Sequence, residues 1–213
     1  MFGRDSSRPQ DLAAGTSSVE SRLLPMMLEQ LESRGRINVL DAGSGSQSTV
    51  DFFAAHSARI QFADLFSCDI VNDVPEDITA GSAAEYFSRY LNLPEDLVFD
   101  VCFFWDAFHH LDLRLLEGLS RALAPHFDSR TLGYGFGSLH QGARKNERGQ
   151  GVAQERYRFG IVKGSHLLLR PDATTGPYHA HTQQELTEHF PALTIQRATL
   201  LQEGRLELLL GYN

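Results

Sequence analysis

The sequence predicts a doubly wound α/β domain on three observations. Short apolar strands alternate with amphipathic helices between residues 37 and 136, a glycine-containing turn joins the first of these strands to its helix, and two strands around a tight turn stand at the end. Strands that alternate with helices bury both faces of a mostly parallel sheet, which is the arrangement this pattern serves.

Residues 1–16 are small and polar, with too little apolar surface to offset the entropy of ordering, so a loose tail is expected ahead of a domain over residues 17–213. Ser17 followed by Glu20 has capping-box spacing, and Val19, Leu23, Met27 and Leu31 recur at about one helical turn. A helix to about Glu32 is expected, either kinked at Pro25 or restarted with Pro25 as its first residue, and closed by Gly35. Ile37-Asn38-Val39-Leu40 reads as a strand ending at Asp41 and the turn AGSGSQ. Ser48 to Ala58 reads as a helix, and Arg59 to Phe66 as a second strand ending near Asp64. Residues 67–78 are acidic and irregular, Thr79 to Leu91 is helical, and Pro94-Glu95-Asp96 turns into a strand at Phe99 to Trp105. One more strand is expected between positions 67 and 98, but no segment there declares itself.

Asp112 to Leu123 reads as a helix and Thr131 to Phe136 as a strand. Residues 141–165 carry Arg144, Lys145, Arg148, Arg156, Arg158 and Lys163 against Glu147 and Glu155, among many glycines and with little periodicity. A long loop or mobile flap is expected there, and the whole stretch 141–181 is assigned to the substrate side. A helix at Thr182 to Phe190, a strand at Leu193 to Leu201, the turn Gln202-Glu203-Gly204 and a strand at Arg205 to Gly211 complete the pattern as an antiparallel hairpin.

The chain has 213 residues, with 19 Lys and Arg against 27 Asp and Glu, a net charge of −8. That balance provides no overall pull toward phosphate backbones or anionic lipid, so nucleic acid is disfavoured as a partner and a small molecule is expected. Cys68 and Cys102 have neither metal-type nor disulfide-framework spacing, MFGRDSSRPQDLAAGTSS lacks the apolar run of a secretory signal, and nowhere do 18 apolar residues run together. A cytoplasmic protein that does not enter the membrane is the expectation; nothing in the sequence speaks to oligomeric state.

The stretch richest in chemistry is Asp41-Ala42-Gly43-Ser44-Gly45-Ser46-Gln47, between a strand and a helix. Glycines there let backbone approach a ligand, and the helix start offers unpaired N–H groups. An acid ahead of the first glycine suits an ammonium group or ribose hydroxyls better than a pyrophosphate. The dinucleotide fingerprint fails too, with Ser48 at its third glycine position, which disfavours a nicotinamide oxidoreductase. His179-Ala180-His181 would put two imidazoles on one strand face, but no Cys or acid nearby completes a metal site, and none is expected.

On these residues the sequence resembles the class I S-adenosylmethionine-dependent methyltransferases, whose first motif places an acid and G-x-G-x-G directly after the first strand. VLDAGSGSQ matches the acid and two glycines and departs at Gln47. The resemblance implies a Rossmann-like, mostly parallel seven-stranded sheet with a C-terminal antiparallel hairpin, with S-adenosylmethionine as cofactor and S-adenosylhomocysteine as product. It implies cofactor contacts from Asp41, Ala42, Gly43, Ser44 and Gly45. Asp64, which lies 23 residues beyond Asp41, would take the ribose hydroxyls, with Leu65 and Phe66 flanking the adenine. In FDVCFFWDAFHHLD it implies that Trp105 and Asp106 lie along the methionine part, where the acceptor enters. Should the acceptor need a base, His110, His109, Asp106 and His140 are the candidates in that order. The Asn-Pro-Pro-Tyr mark of amide and nucleobase methylation is absent, its place being taken by Trp105-Asp106-Ala107-Phe108. The departure at Gln47, the unplaced strand and the basic segment leave a second reading open, a methyltransferase-like scaffold that binds or regulates without transferring.

Overall fold

The computed structural model describes residues 15–138, 154–202 and 204–212. In chain order its elements are β1 (Ser17–Glu20), α1 (Leu23–Leu31), β2 (Ile37–Asp41), α2 (Gln47–Ala54), β3 (Ala58–Phe62), α3 (Asp69–Asn72), α4 (Ala80–Leu91), β4 (Val101–Trp105), α5 (Leu113–Leu123), β5 (Leu132–Gly137), β6 (Gln154–Lys163), β7 (His166–Gly176), α6 (Gln183–His189), β8 (Thr194–Leu200) and β9 (Leu206–Gly211). The central sheet has the order β3-β2-β4-β5-β9-β8. Its first four strands are parallel, and β9 runs antiparallel to both β5 and β8, so the expected terminal hairpin sits at one edge. Chain order reverses between β2 and β4: β3 lies on one side of β2, and β4 on the other. In doubly wound sheets the crevice outside the carboxyl ends of two such strands is where ligands bind.

Side chains alternate across this sheet. Leu40, Cys102 and Phe104 face a core with Ala83, Phe87, Leu115 and Leu119 of α4 and α5, while Val39, Val101 and Phe103 face one with Leu24 and Met27 of α1 and Leu167 and Leu169 of β7. Strand β4 therefore reads as a continuous apolar run because both its faces are covered.

Three expectations are corrected. The capping box at Ser17 and Glu20 is not formed. Residues 17–20 are a strand whose backbone is used by β7, with Ser17 opposite Leu169 and Glu20 opposite His166, and the next amide, Ser21 N, donates to the Ser165 carbonyl at 2.8 Å. The helix starts at Leu23, with Pro25 in its first turn, where a missing N–H costs nothing. Second, among the described residues the sheet has six strands against the seven expected, because residues 67–98 supply helices. Ala83, Phe87 and Leu91 recur every four residues and are buried on one face of α4, a period a strand cannot use. Third, the described part of the segment read as a flap, from residue 154 on, is a pair of long antiparallel strands, β6 and β7, which with β1 form a second sheet in the order β1-β7-β6. Phe159 and Ile161, and likewise Leu167 and Leu169, are buried at every second position, a period-2 pattern that the intervening charges disguised. The tail up to residue 14, His140, Arg144, Lys145, Glu147 and Arg148 lie outside the described residues.

One buried acid ties the two parts together. Glu207 of β9, 0% exposed, accepts hydrogen bonds from the Arg22 and Leu23 amides at 2.9 and 3.0 Å, from the Tyr134 hydroxyl at 2.5 Å and from the Ser21 hydroxyl. It caps the start of α1 from across the molecule, and its carboxylate complements the helix dipole.

Candidate active site

The glycine turn and the ends of three parallel strands meet at the switch point. Ser46 caps α2 and accepts from the Thr49 amide, and Gly45 turns the chain at φ 76°, where a side chain would be strained and its Cβ would press on the Phe62 ring. Asp41, at the end of β2, is 1% exposed. Its Oδ1 accepts from the Gly43 amide at 2.9 Å and from Trp105 Nε1 at 2.7 Å, which spans the switch point directly. Its Oδ2 has no partner among the described residues. Burial pushes the Asp41 carboxyl up to about 6, against the hydrogen bonds from Trp105 and Gly43 and helped by repulsion from Asp64.

Asp64 lies two residues beyond β3 in the left-handed region at φ 41°. Ser67 donates to its Oδ2 at 2.7 Å and Tyr90 to its backbone carbonyl at 3.0 Å, which fixes the turn. Trp105 is left-handed as well, at φ 51°. Bulky residues held in that region cost of order 1–3 kcal/mol each and cluster at functional sites.

The side chain of Trp105 is enclosed. The indole is 1% exposed, stacked between Phe103 at 5.0 Å and Phe159 at 5.2 Å, and its N–H is used by Asp41. The indole positions Asp41, so any ligand contact from this residue comes from its backbone. Leu65 is buried, and the ring of Phe66 is shared by the Arg156 guanidinium, 4.9 Å over its centroid, and the His110 ring, edge-on at 5.0 Å. Ala42, Gly43, Ser44 and Gly45 form the turn itself, with Ala42 N donating to the Phe103 carbonyl at 2.8 Å.

Strand β6 roofs this crevice. Ile161 N donates to Thr49 Oγ1 at 3.2 Å, Phe159 covers Trp105, and Arg156 reaches Phe66. Gly160 passes so close to the turn that a Cβ would lie 2.2 Å from Ser48 Oγ and 2.5 Å from Ser46 Oγ. Sequence reading missed Phe159, and it noted Arg156 only as one of six cations, because the strand carrying both was read as a loop. Alternation of Phe159, Ile161, Leu167 and Leu169 is the signal that finds them.

On the acceptor side, Asp106 and His110 lie beyond β4, with His110 Nε2 3.8 Å from Asp106 Oδ2. His110 Nδ1 is 2.9 Å from the Pro177 carbonyl, which can only accept, so Nδ1 carries a proton and, in the neutral ring, Nε2 bears the lone pair. His109 Nδ1 is likewise 3.0 Å from the His179 carbonyl, and burial pulls this imidazole down to about 4. Asp106 Oδ1 and both Nε2 atoms are buried without partners among the described residues. Tyr178 stands between the two rings, 5.4 Å from His109 and 5.6 Å from His110. His179 and His181 stack on each other at 5.9 Å, and His181 Nε2 bonds the Leu111 carbonyl at 2.7 Å, so they fasten residues 177–181 to the turn after β4. Among the described residues no group of three His, Cys, Asp or Glu is arranged to hold a metal ion, and no helix is long and apolar enough to cross a membrane. A groove of about 1090 Å³ between α1 and α2 lies at the opposite, amino ends of β2 and β3, away from these groups.

The donor set is selective. Carboxylates that accept but do not donate, one with a buried free oxygen, fit an ammonium group and vicinal hydroxyls and repel a pyrophosphate. A parallel sheet closed at its edge by an antiparallel pair, with this turn after β2 at the point where the strand order reverses, defines the architecture. The fold is Rossmann-like, a doubly wound α/β sheet. No family model and no curated protein matches the sequence. Among solved structures, it is similar to an S-adenosylmethionine-dependent methyltransferase from Clostridium acetobutylicum ATCC 824, at 10% identity over 89% of each chain with a TM-score of 0.48. A protein from Pyrococcus horikoshii OT3 is similar at 12% identity over 90% of this chain and 88% of that one, with a TM-score of 0.49. The 1,6-didemethyltoxoflavin-N1-methyltransferase of Burkholderia thailandensis is similar at 16% identity over 90% and 77%, with a TM-score of 0.44.

Proposed function

We propose that this protein transfers a methyl group from S-adenosylmethionine to a small-molecule acceptor. The observation that carries the reading is the pair of acids at the switch point: Asp41, pinned by Trp105 with Oδ2 free, and Asp64 on its left-handed turn. Asp41 would hold the ammonium and Asp64 the ribose hydroxyls. The bound cofactor supplies an already activated methyl group, so the protein's work is orientation, exclusion of water and removal of one proton. Strand β6 excludes water from above. His110 Nε2, aimed as a lone pair by the Pro177 carbonyl, takes the proton of an N–H or O–H acceptor, and Asp106 beside it stabilises the imidazolium that forms. His109, held neutral by burial, provides a second acceptor atom beside it.

The departure from the glycine pattern at Gln47 favours a second reading, a scaffold that binds ligand without transferring methyl. Calorimetry with S-adenosylmethionine and S-adenosylhomocysteine tests the first step. Micromolar binding is expected, weakened about 100-fold or more in Asp64→Ala. No binding of either compound to the wild-type protein overturns the proposal, and tight binding without turnover on any acceptor decides for the scaffold.

A further inference from the structure

The proposed function leaves Arg156 unexplained. This arginine, in β6, is 2% exposed and reaches down from the roof onto Phe66. Its Nη1 donates to the Phe66 carbonyl at 3.3 Å and to Asn72 Oδ1 at 3.0 Å, so the guanidinium is fixed in place. Its Nε and Nη2 are buried without partners among the described residues. These two nitrogens form the edge of the guanidinium whose parallel N–H bonds match the two oxygens of a carboxylate, and a buried, immobilised fork pays little further entropy to bind one. Leaving such donors unmet costs stability, so the two nitrogens call for a partner that the described residues do not supply.

The neighbours say what else that ligand carries. The Phe66 ring has the guanidinium 4.9 Å over its face and the His110 ring 5.0 Å from its centroid, so fork and base are one aromatic ring apart. Asp106 Oδ1 is a second buried, unmet group beside that base. Resting on the methyltransferase reading of the same crevice, we infer that the acceptor is a small carboxylic acid whose carboxylate is gripped by Arg156 Nε and Nη2 while its nucleophilic nitrogen or oxygen faces His110. An aromatic amino or hydroxy acid carries both groups, a carboxylate and a nucleophile, on one flat molecule. In the transfer the nucleophile forms a bond to the methyl carbon as the carbon–sulfur bond breaks, the bonding pair stays on sulfur, and the nucleophile's proton passes to His110 Nε2. The cofactor also has a carboxylate, so the test separates the two.

Calorimetry in the presence of saturating S-adenosylhomocysteine compares 4-aminobenzoate and 4-hydroxybenzoate with their uncharged carboxamides, on wild-type, Arg156→Gln and Arg156→Lys proteins. The wild-type protein is expected to prefer each acid over its amide by about 10- to 100-fold. Arg156→Gln should erase that preference, and Arg156→Lys should keep only part of it, with S-adenosylhomocysteine affinity unchanged in both. Equal binding of acid and amide by the wild-type protein overturns the inference without needing any variant to fold, and so does failure of both acids to bind. A loss of S-adenosylhomocysteine affinity in Arg156→Gln gives the fork to the cofactor and overturns it too. Absence of S-adenosylhomocysteine binding to the wild-type protein, in contrast, strikes the proposed function itself.

Discussion

Asp41 is buried with one oxygen paired twice and the other not at all, so its charge is held at a cost. Its folded-state value of about 6 lies above the ordinary 3.8. The native state therefore holds the proton more tightly than the unfolded one, and this residue's contribution to stability falls as pH rises from about 4 to about 6, then stays level. Asp41→Asn removes the charge while keeping an acceptor for Trp105 and Gly43. It is expected to stabilise the protein at pH 7.5 by about 1–3 kcal/mol, to lose that slope relative to wild type, and to weaken S-adenosylhomocysteine binding at least tenfold. Urea denaturation across pH checks it, and a variant less stable than wild type at pH 7.5 contradicts the burial argument. At the neighbouring base, His110→Ala should lower kcat by about 10²- to 10⁴-fold and leave S-adenosylhomocysteine affinity within a factor of three. A variant with wild-type kcat removes His110 from the mechanism. These residues were legible by type and place, Asp41 and Asp64 from the strand ends they follow. Their states were not: the tautomer of His110 is set by the carbonyl of Pro177, 67 residues away, and the pairing of Asp41 by a tryptophan 64 residues on.

At the scale of elements, the roles of α1 and of the β6–β7 pair depend on contacts that local pattern does not encode. Pro25 predicts a break near the start of α1, and the helix does begin two residues before it, but the cap comes from Glu207 on the last strand. Helix starts are usually capped from within four residues, so an acid 184 residues from the Leu23 amide leaves no sequence signature. Glu207→Leu leaves the Arg22 and Leu23 amides without their acceptor and takes away the carboxylate to which the Ser21 and Tyr134 hydroxyls donate, and is expected to cost about 3–5 kcal/mol. Chemical denaturation measures that loss; a change below about 1 kcal/mol would show that α1 is held by packing alone. The helix α4 and the six-strand count follow from another conflict. Residues 67–98 were expected to supply a strand, yet the apolar residues at 83, 87 and 91 bury only as a helix, packed so closely on α5 that a Cβ at Gly118 would meet Ala83 Cβ at 2.5 Å.

For the molecule as a whole, the crevice is assembled from four places in the chain: the turn after β2, the end of β3, the turn after β4 and the roof strand β6. A ligand that bridges them stabilises the folded state as one unit. S-adenosylhomocysteine at 100 times its dissociation constant should add about 2.7 kcal/mol, and in a domain of this size raise the melting temperature by roughly 5–10 °C. Scanning calorimetry reads the shift. A melting temperature unmoved at that concentration would mean that the crevice does not take the ligand.

The sequence by itself determined the doubly wound sheet, its antiparallel edge and the two acids at strand ends, because each rests on a short-range period or on a turn whose chemistry is local. Tertiary structure alone decided what meets across the crevice. The strand bearing Arg156 and Phe159 pairs with β7 and lies over a turn more than 100 residues earlier, and the burial that tunes Asp41, His109 and the Arg156 fork exists only once those segments close on one another. Period and turn residues fix where a chain runs straight or bends; desolvation and hydrogen-bond pairing over long separations belong to the folded whole.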